Sequence, residues 1–384
     1  MVVKNRVLLT LTILIVLAGA WLSFLSHAPN RLISGQGIPL ASLITGLVWW
    51  LLVPMLVLIA FAFVKQNILS YWLIALSAGF LLFGLLLLAG TTATQLAGGE
   101  DSLTRISLGG GFWLMSGLSV LIAVDSWSRA IVSPAWRSLA NVLLILPVAV
   151  LLTTGQLNNL SLMKEYFNRE DVFDDALWQH VQILLATLVP AIVLGIPLGL
   201  LCFRVPRFQR AIFSTLNIIQ TIPSIALFGL LIAPLASLAA AIPWLAEHGV
   251  SGIGLAPAIV ALVLYALLPL VRNVVAGLDA VPDSVVESAR GMGMTRSQLF
   301  FRVQTPIAMP LILSGIRIIS VQTVGLAVVA ALIGAGGLGA IVFQGLLSSA
   351  LDLVLLGVIP VIVMAVIVDS LFKFIVTFMD TSRR

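Results

Sequence analysis

Val281–Pro306 reads VPDSVVESARGMGMTRSQLFFRVQTP, a polar stretch in a chain of 384 residues that is 60% hydrophobic and 9% charged. In so apolar a sequence, Asp283, Glu287, Arg290 and Arg296 in one short run mark a segment that sits in water between two membrane spans. Two short helices are expected in it. Ser284-Val285-Val286-Glu287 and Thr295-Arg296-Ser297-Gln298 each fit a capping box, in which the hydroxyl accepts an amide N–H and the fourth side chain returns the bond. Gly291-Met292-Gly293 lies between them and breaks the helix, while Pro306 ends the unit and begins the next span. Val285, Val286, Ala289 and Met292 fall on one side, so the unit can lie on the membrane and present its other face to the cytosol. A docking surface is the favoured reading, and an amphipathic connector is the plain alternative.

Outward from the loop, mean hydropathy of +1.17 places the chain among polytopic membrane proteins. A span needs about 20 apolar residues, and lipid makes helices the default. Ten candidates are expected: Val7–Leu25, Leu43–Val64, Ile68–Ala89, Leu108–Val124, Leu139–Thr154, Val181–Cys202, Ala211–Ala233, Ile253–Val271, Ala308–Ile333 and Leu353–Val376. The fold class is therefore an all-α polytopic membrane protein of about ten transmembrane helices. Lys4 and Arg6 before the first span resemble a signal-peptide start, but the apolar run is too long and Trp21 follows at once, so an uncleaved span is expected.

Charge sets the orientation. With ten spans and both termini inside, 14 of the 20 Lys and Arg fall in cytoplasmic segments, including Lys65, Arg129, Arg137, the Arg204–Arg210 cluster, Arg272–Arg302 and Arg383/Arg384. Arg31, Arg105, Lys164 and Arg169 fall outside, and Arg317 and Lys373 lie within spans. This is the positive-inside pattern, and it accounts for the basic balance through orientation and anionic lipid, with no nucleic acid as partner.

The chain divides by character. Spans one to five, in residues 1–155, carry little beyond apolar filler, Gly and Trp. Residues 156–180 include Glu165, Glu170, Asp171, Asp174 and Asp175 and are expected to form an external acidic linker or surface helix. Residues 181–384 are motif-dense. The single cysteine, Cys202, excludes an internal disulfide and a thiolate metal cage, and His27, His180 and His248 are too scattered for a metal site.

Other motifs resolve against catalysis. Gly334, Gly336 and Gly339 match a dinucleotide fingerprint, but no strand precedes them and they sit at a span end. Together with Gly337 they are expected to permit an irregular segment near an outer gate. Gly195 and Gly199 form a small-xxx-small pair suited to close helix packing. Arg317 lies eleven residues past Pro306, about 16 Å into the membrane at helical rise. It is expected to line a cytoplasmic vestibule, the alternative being a packed role with bonds to neighbouring carbonyls. Asp369 and Lys373 are spaced for a local ion pair. Pro223 either opens its helix or kinks it. None of the four lysines lies in a P-loop, so this chain does not bind ATP that way.

The loop resembles one found in bacterial ABC importer permeases, of the form E-A-A, three residues, G, nine residues, I-x-L-P. Here Glu287-Ser288-Ala289, Gly293, Val303, Thr305 and Pro306 stand at matching offsets, with Ser288, Val303 and Thr305 departing from the pattern. Gln220-Thr221-Ile222-Pro223-Ser224, Tyr265-Ala266-Leu267-Leu268-Pro269 with Arg272-Asn273, and Ile333–Gly339 resemble permeases for glycine betaine, choline and related osmoprotectants. The likeness covers residues 174–384, and the long N-terminal extension resembles the Yeh-type betaine uptake permeases.

The resemblance implies a type I importer permease core in which Ser284, Glu287, Ser288, Ala289, Gly293 and Pro306 couple to an ATPase. It implies that Gln220, Thr221, Pro223, Ser224, Tyr265, Arg317 and the glycines from Gly334 to Gly339 belong to the path or its gates. It further implies an ABC ATPase subunit that binds ATP, a periplasmic or extracellular binding protein whose aromatic cage selects quaternary ammonium, and a second permease, identical or homologous. No cofactor or metal is expected in this chain. The competing readings are an ion-gradient-driven transporter of small zwitterions, for which only Asp369 offers a mid-span carboxylate, and a membrane enzyme, for which no catalytic cluster exists.

Overall fold

A computed structural model of the chain describes residues 3–31, 33–44, 46–98 and 103–381. Arg383 and Arg384, placed inside by the charge argument, lie outside the described residues. Helices dominate, and two compact units divide the chain, Met1–Asn168 and Arg169–Arg384.

The first unit begins with α1 (Arg6–Trp21), capped by Asn5, whose side chain accepts from the Leu8 N–H at 3.0 Å. The expected first span ran to Leu25, but the chain leaves the helix at Leu22 and enters β1 (Ser23–Ala28). β1 is the centre of a small antiparallel sheet, flanked by β2 (Gln36–Pro39) and β3 (Arg105–Leu108). Leu25 pairs with both Ile38 and Leu108. The sheet corrects the all-helical expectation locally: Phe24 and Leu25 are fully buried, so the apolar run continues through a change of secondary structure that hydropathy does not register. Gly109 marks the close approach, since a Cβ there would stand 2.2 Å from the Ser23 carbonyl oxygen.

After α2 (Leu40–Leu43) and a 3-10 turn over Gly46–Leu51, α3 (Leu52–Phe63) replaces the longer expected span Leu43–Val64. Then follow α4 (Ile68–Leu96), α5 (Gly110–Ala130), α6 (Pro134–Thr153) and α7 (Ser161–Phe167). α4 and α5 pack together, α1 packs on α5, and Ile15, Phe24, Ile74, Leu81 and Met115 are buried at the centre. Glu165 on α7 is 3% exposed, with Arg31 at 3.4 Å and Arg105 at 3.7 Å.

The second unit opens with α8 (Glu170–Arg204), 35 residues without a break at the expected linker boundary. Glu170 and Asp171 sit in its first turn, where the helix dipole favours anions. α9 (Pro206–Thr221), α10 (Ser224–Ala241), α11 (Pro243–Glu247), α12 (Leu255–Asp279), α13 (Asp283–Gly291) and α14 (Arg296–Leu299) follow. α15 (Thr305–Ala330), α16 (Leu338–Leu347) and α17 (Leu351–Thr381) complete the unit. α12 is the hub: it packs on α8 and α15, while α17 packs on α15 and α16. The Gly195/Gly199 pair does what its spacing suggests, because a Cβ on Gly195 would stand 2.6 Å from Leu270 Cδ2 and one on Gly199 2.6 Å from Val274 Cβ.

Seven of the described helices are long and apolar enough to cross a membrane: α4, α5, α8, α10, α12, the run Arg296–Ile333 and α17. The other three expected spans coincide with shorter apolar helices, Arg6–Trp21, Trp49–Phe63 and Leu139–Thr153. Where Ala211–Ala233 was expected as one span, the helix stops at Thr221 and restarts at Ser224.

Candidate functional site

The loop 281–306 is a helix, a glycine turn and a second helix. α13 ends in a Schellman motif: the Gly293 N–H donates to the Arg290 carbonyl at 2.9 Å and the Met294 N–H to the Ala289 carbonyl at 3.2 Å. Gly293 has φ +81°, and a Cβ there would meet nothing within 4 Å. Its requirement is therefore conformational and its face is open. Ala289 is 2% exposed and anchors α13, while Ser284, Glu287, Ser288 and Arg290 are exposed.

One of the two expected capping boxes forms. Thr295 accepts from the Gln298 N–H at 3.3 Å and the Gln298 side chain accepts from the Thr295 N–H at 2.9 Å. The Ser284/Glu287 box does not form. α13 starts two residues earlier, at Asp283 behind Pro282, so Ser284 is already helical and its carbonyl accepts from the Ser288 hydroxyl at 2.7 Å. Proline supplies the start that the box was expected to supply. The second helix is also not a separate element. Through a π-helical turn, Phe300–Gln304, α14 continues into α15 with Pro306 in its first turn. The Arg204 guanidinium at the end of α8 lies 5.1 Å from the Phe300 ring centroid, a cation–π contact.

A second group forms around the break between α9 and α10. The Gln220 amide donates to the Tyr265 carbonyl at 2.6 Å, and the Tyr265 hydroxyl donates to the Ile222 carbonyl. Pro223 has no N–H to offer and cannot continue the helix, so the Ile222 carbonyl, left outside regular structure, is met by Tyr265 from α12. Pro223 thus opens the helix. Thr221 is exposed and bonds back to the Ile218 carbonyl at 2.7 Å, and Ser224 starts α10.

The glycine turn between α15 and α16 carries φ +82° at Gly334, +77° at Gly336 and +72° at Gly337. Gly339 is helical and needed for contact, since a Cβ there would stand 2.1 Å from the Val328 carbonyl oxygen. The Gly254 N–H donates to the Ile333 carbonyl at 2.7 Å. Ile222, Tyr265, Ile333 and Ala335 share one apolar cluster with Leu227 and Phe228, so the broken helix and the glycine turn are packed together. Phe300 belongs with a different cluster, around Val271, Val274 and Ile312, so the loop's base and the broken helix rest on separate patches of one bundle.

Arg317 bonds across helices. Its Nε lies 2.5 Å from Asp369 Oδ1 on α17, and Lys373 Nζ lies 2.7 Å from Asp369 Oδ2. The packed alternative expected carbonyl partners, and the partner is a carboxylate. Asp369 thus serves two cations, which leaves it poorly placed to carry a coupling proton or cation. Gln179, His180, Gly254 and Arg204 join these sites without having been expected there. Residues at or near the ends of spans give no pattern by themselves, and each acquires its role only through a partner more than 70 residues away in sequence.

Two family descriptions match the chain. Residues 4–163 match "ABC transporter permease YehY, N-terminal domain", and residues 191–381 match "Binding-protein-dependent transport system inner membrane component". The chain is 39% identical over 192 residues to the carnitine transport permease protein OpuCB of Listeria monocytogenes, covering 50% of this chain and 81% of that one. It is 38% identical over 194 residues to the osmoprotectant import permease protein OsmW of Salmonella typhimurium, covering 50% of this chain and 85% of that one. A solved structure of the MetNI methionine ABC transporter in an inward-facing conformation is similar at 23% identity and TM-score 0.47, covering 54% of this chain and 96% of that one. The chain belongs to the ABC importer permeases of the binding-protein-dependent inner membrane component family, and carries the Yeh-type N-terminal domain ahead of the shared core.

Proposed function

We propose that this permease imports osmoprotectants such as glycine betaine, with choline and carnitine as related cargo, driven by ATP hydrolysed in a separate subunit. The similarity to permeases named for carnitine and osmoprotectant import supports the cargo class. The observation that carries the coupling is the loop: exposed α13 and an open Gly293 turn, joined without a break to the helix α15. A partner that pushes on such a unit moves α15, which packs on the hub helix α12. Ser284, Glu287, Ser288 and Gly293 face the ATPase, Ala289 and Pro306 fix the unit to the bundle, and ATP stays in the partner. Gln220, Thr221, Pro223, Ser224 and Tyr265 form an irregular segment on the path, with Arg317 toward the cytoplasm and Gly334, Gly336, Gly337 and Gly339 at the external gate. A binding protein delivers cargo outside, a second permease, identical or homologous, completes the path, and both termini are cytoplasmic.

The alternative, gradient-driven transport, needs a mid-span carboxylate free to exchange its charge, and Asp369 is bonded to Arg317 and Lys373. Betaine uptake by cells expressing the full operon decides between them. Uptake that stops on ATP depletion and persists with an ionophore supports the proposal; uptake abolished by the ionophore at normal ATP contradicts it.

A further inference from the structure

α8 grips the external end of α15 with two neighbouring side chains. Gln179 Oε1 accepts from the Gly337 N–H at 3.1 Å. A Cβ on Gly336 would stand 2.3 Å from that same oxygen, so the glycine turn is shaped to seat on Gln179. His180 is fully buried, and its Nε2 lies 3.1 Å from the Val324 carbonyl of α15. A carbonyl only accepts, so Nε2 carries the proton and Nδ1 is a bare acceptor; among the described residues Nδ1 has no partner. The imidazole also touches the turn, because a Cβ on Gly337 would stand 3.2 Å from Nδ1.

Adjacent residues of one helix thus hold both the turn and the helix that leads into it. The hold is neutral: no Asp, Glu, Lys or Arg occurs between Arg317 and Asp352, or between Asp175 and Arg204. Neutral hydrogen bonds of this kind are each worth about 1 kcal/mol net, which suits a contact that must open and close.

We propose that Gln179 and His180 are positioning residues of the external gate, latching the Gly334–Gly337 turn against α8 in the closed state and releasing it when the gate opens. The proposal rests on the permease reading. It explains why Gly336 and Gly337 are glycines with positive φ: only a backbone without side chains seats on Gln179 and His180 in that conformation.

The test uses the full chain with Cys202→Ser and a reporter thiol from Ala335→Cys, a position 5% exposed. Modification by a membrane-impermeant maleimide is followed from outside. Gln179→Leu and His180→Leu keep bulk but lose the bond, and each should speed labelling roughly fivefold or more, the factor set by one lost hydrogen bond. Gln179→Glu keeps an acceptor and His180→Gln keeps a donor at the same reach, so both should restore protection. Labelling of the leucine variants at the parent rate overturns the latch, as does failure of the conservative pair to rescue. ATP-driven betaine uptake by the wild-type chain is measured in parallel. Its absence overturns the proposed ATP-driven betaine import alone, since labelling needs neither cargo nor ATP.

Discussion

Gly293, Ser284 and Thr295 show how far single residues reveal a site. Gly293 is legible, because glycine following a short amphipathic helix signals a left-handed cap, and the structure gives it φ +81° with both Schellman bonds. Ser284 misleads. Its spacing to Glu287 satisfies a pattern that Pro282 pre-empts by starting the helix earlier, and a pattern match carries no information on which start wins. Thr295 is the genuine cap. Thr295→Ala should therefore remove about 1 kcal/mol from the second loop helix, and amide exchange over residues 296–299 should accelerate roughly fivefold. Ser284→Ala should leave exchange over α13 unchanged. Equal effects of the two substitutions would contradict this assignment of caps.

Among the elements, the spans were readable from hydropathy and their irregularities were not. The apolar run past Trp21 hides β1, because a buried strand and a buried helix share a composition and the flanking Leu22 gives no stop signal. The Thr221–Ser224 break was half visible: proline announces a disturbance, but the carbonyl acceptor of Gln220 and the hydroxyl that meets Ile222 both belong to Tyr265, more than 40 residues on. Arg317 was recognised as costly, and its partner Asp369 was assigned only to Lys373, since sequence spacing favours local pairs over cross-helix ones. The α8–α12 contact was legible through Gly195 and Gly199, and it yields a graded prediction. Gly199→Ala meets the branched carbon of Val274 and should destabilise by about 1–3 kcal/mol, whereas Gly195→Ala meets the flexible end of Leu270 and should cost less. Thermal unfolding in detergent ranks them; a larger loss at Gly195 would contradict the packing described.

At the scale of the whole molecule, the chain divides into two compact units, Met1–Asn168 and Arg169–Arg384. In the sequence, residues 156–180 stand apart as an acidic linker, whereas α7 and α8 take up most of that stretch and α8 carries Glu170 and Asp171 into the core helix. Reporter fusions after Arg210 and Arg302 should read cytoplasmic and those at Glu170 and Glu247 external. An external signal at Arg302 would remove the loop from any cytoplasmic partner. The most direct test of the central claim, that this loop couples the permease to an ATPase, is uptake by proteoliposomes holding the full chain with its ATPase and binding protein, comparing wild type with Gly293→Val. A β-branched residue at φ +81° strains the turn by about 1–3 kcal/mol and places bulk on its open face. The account predicts that ATP-dependent uptake and co-purification of the ATPase both fall together while membrane insertion is unchanged; normal uptake with normal ATPase association in Gly293→Val would contradict it.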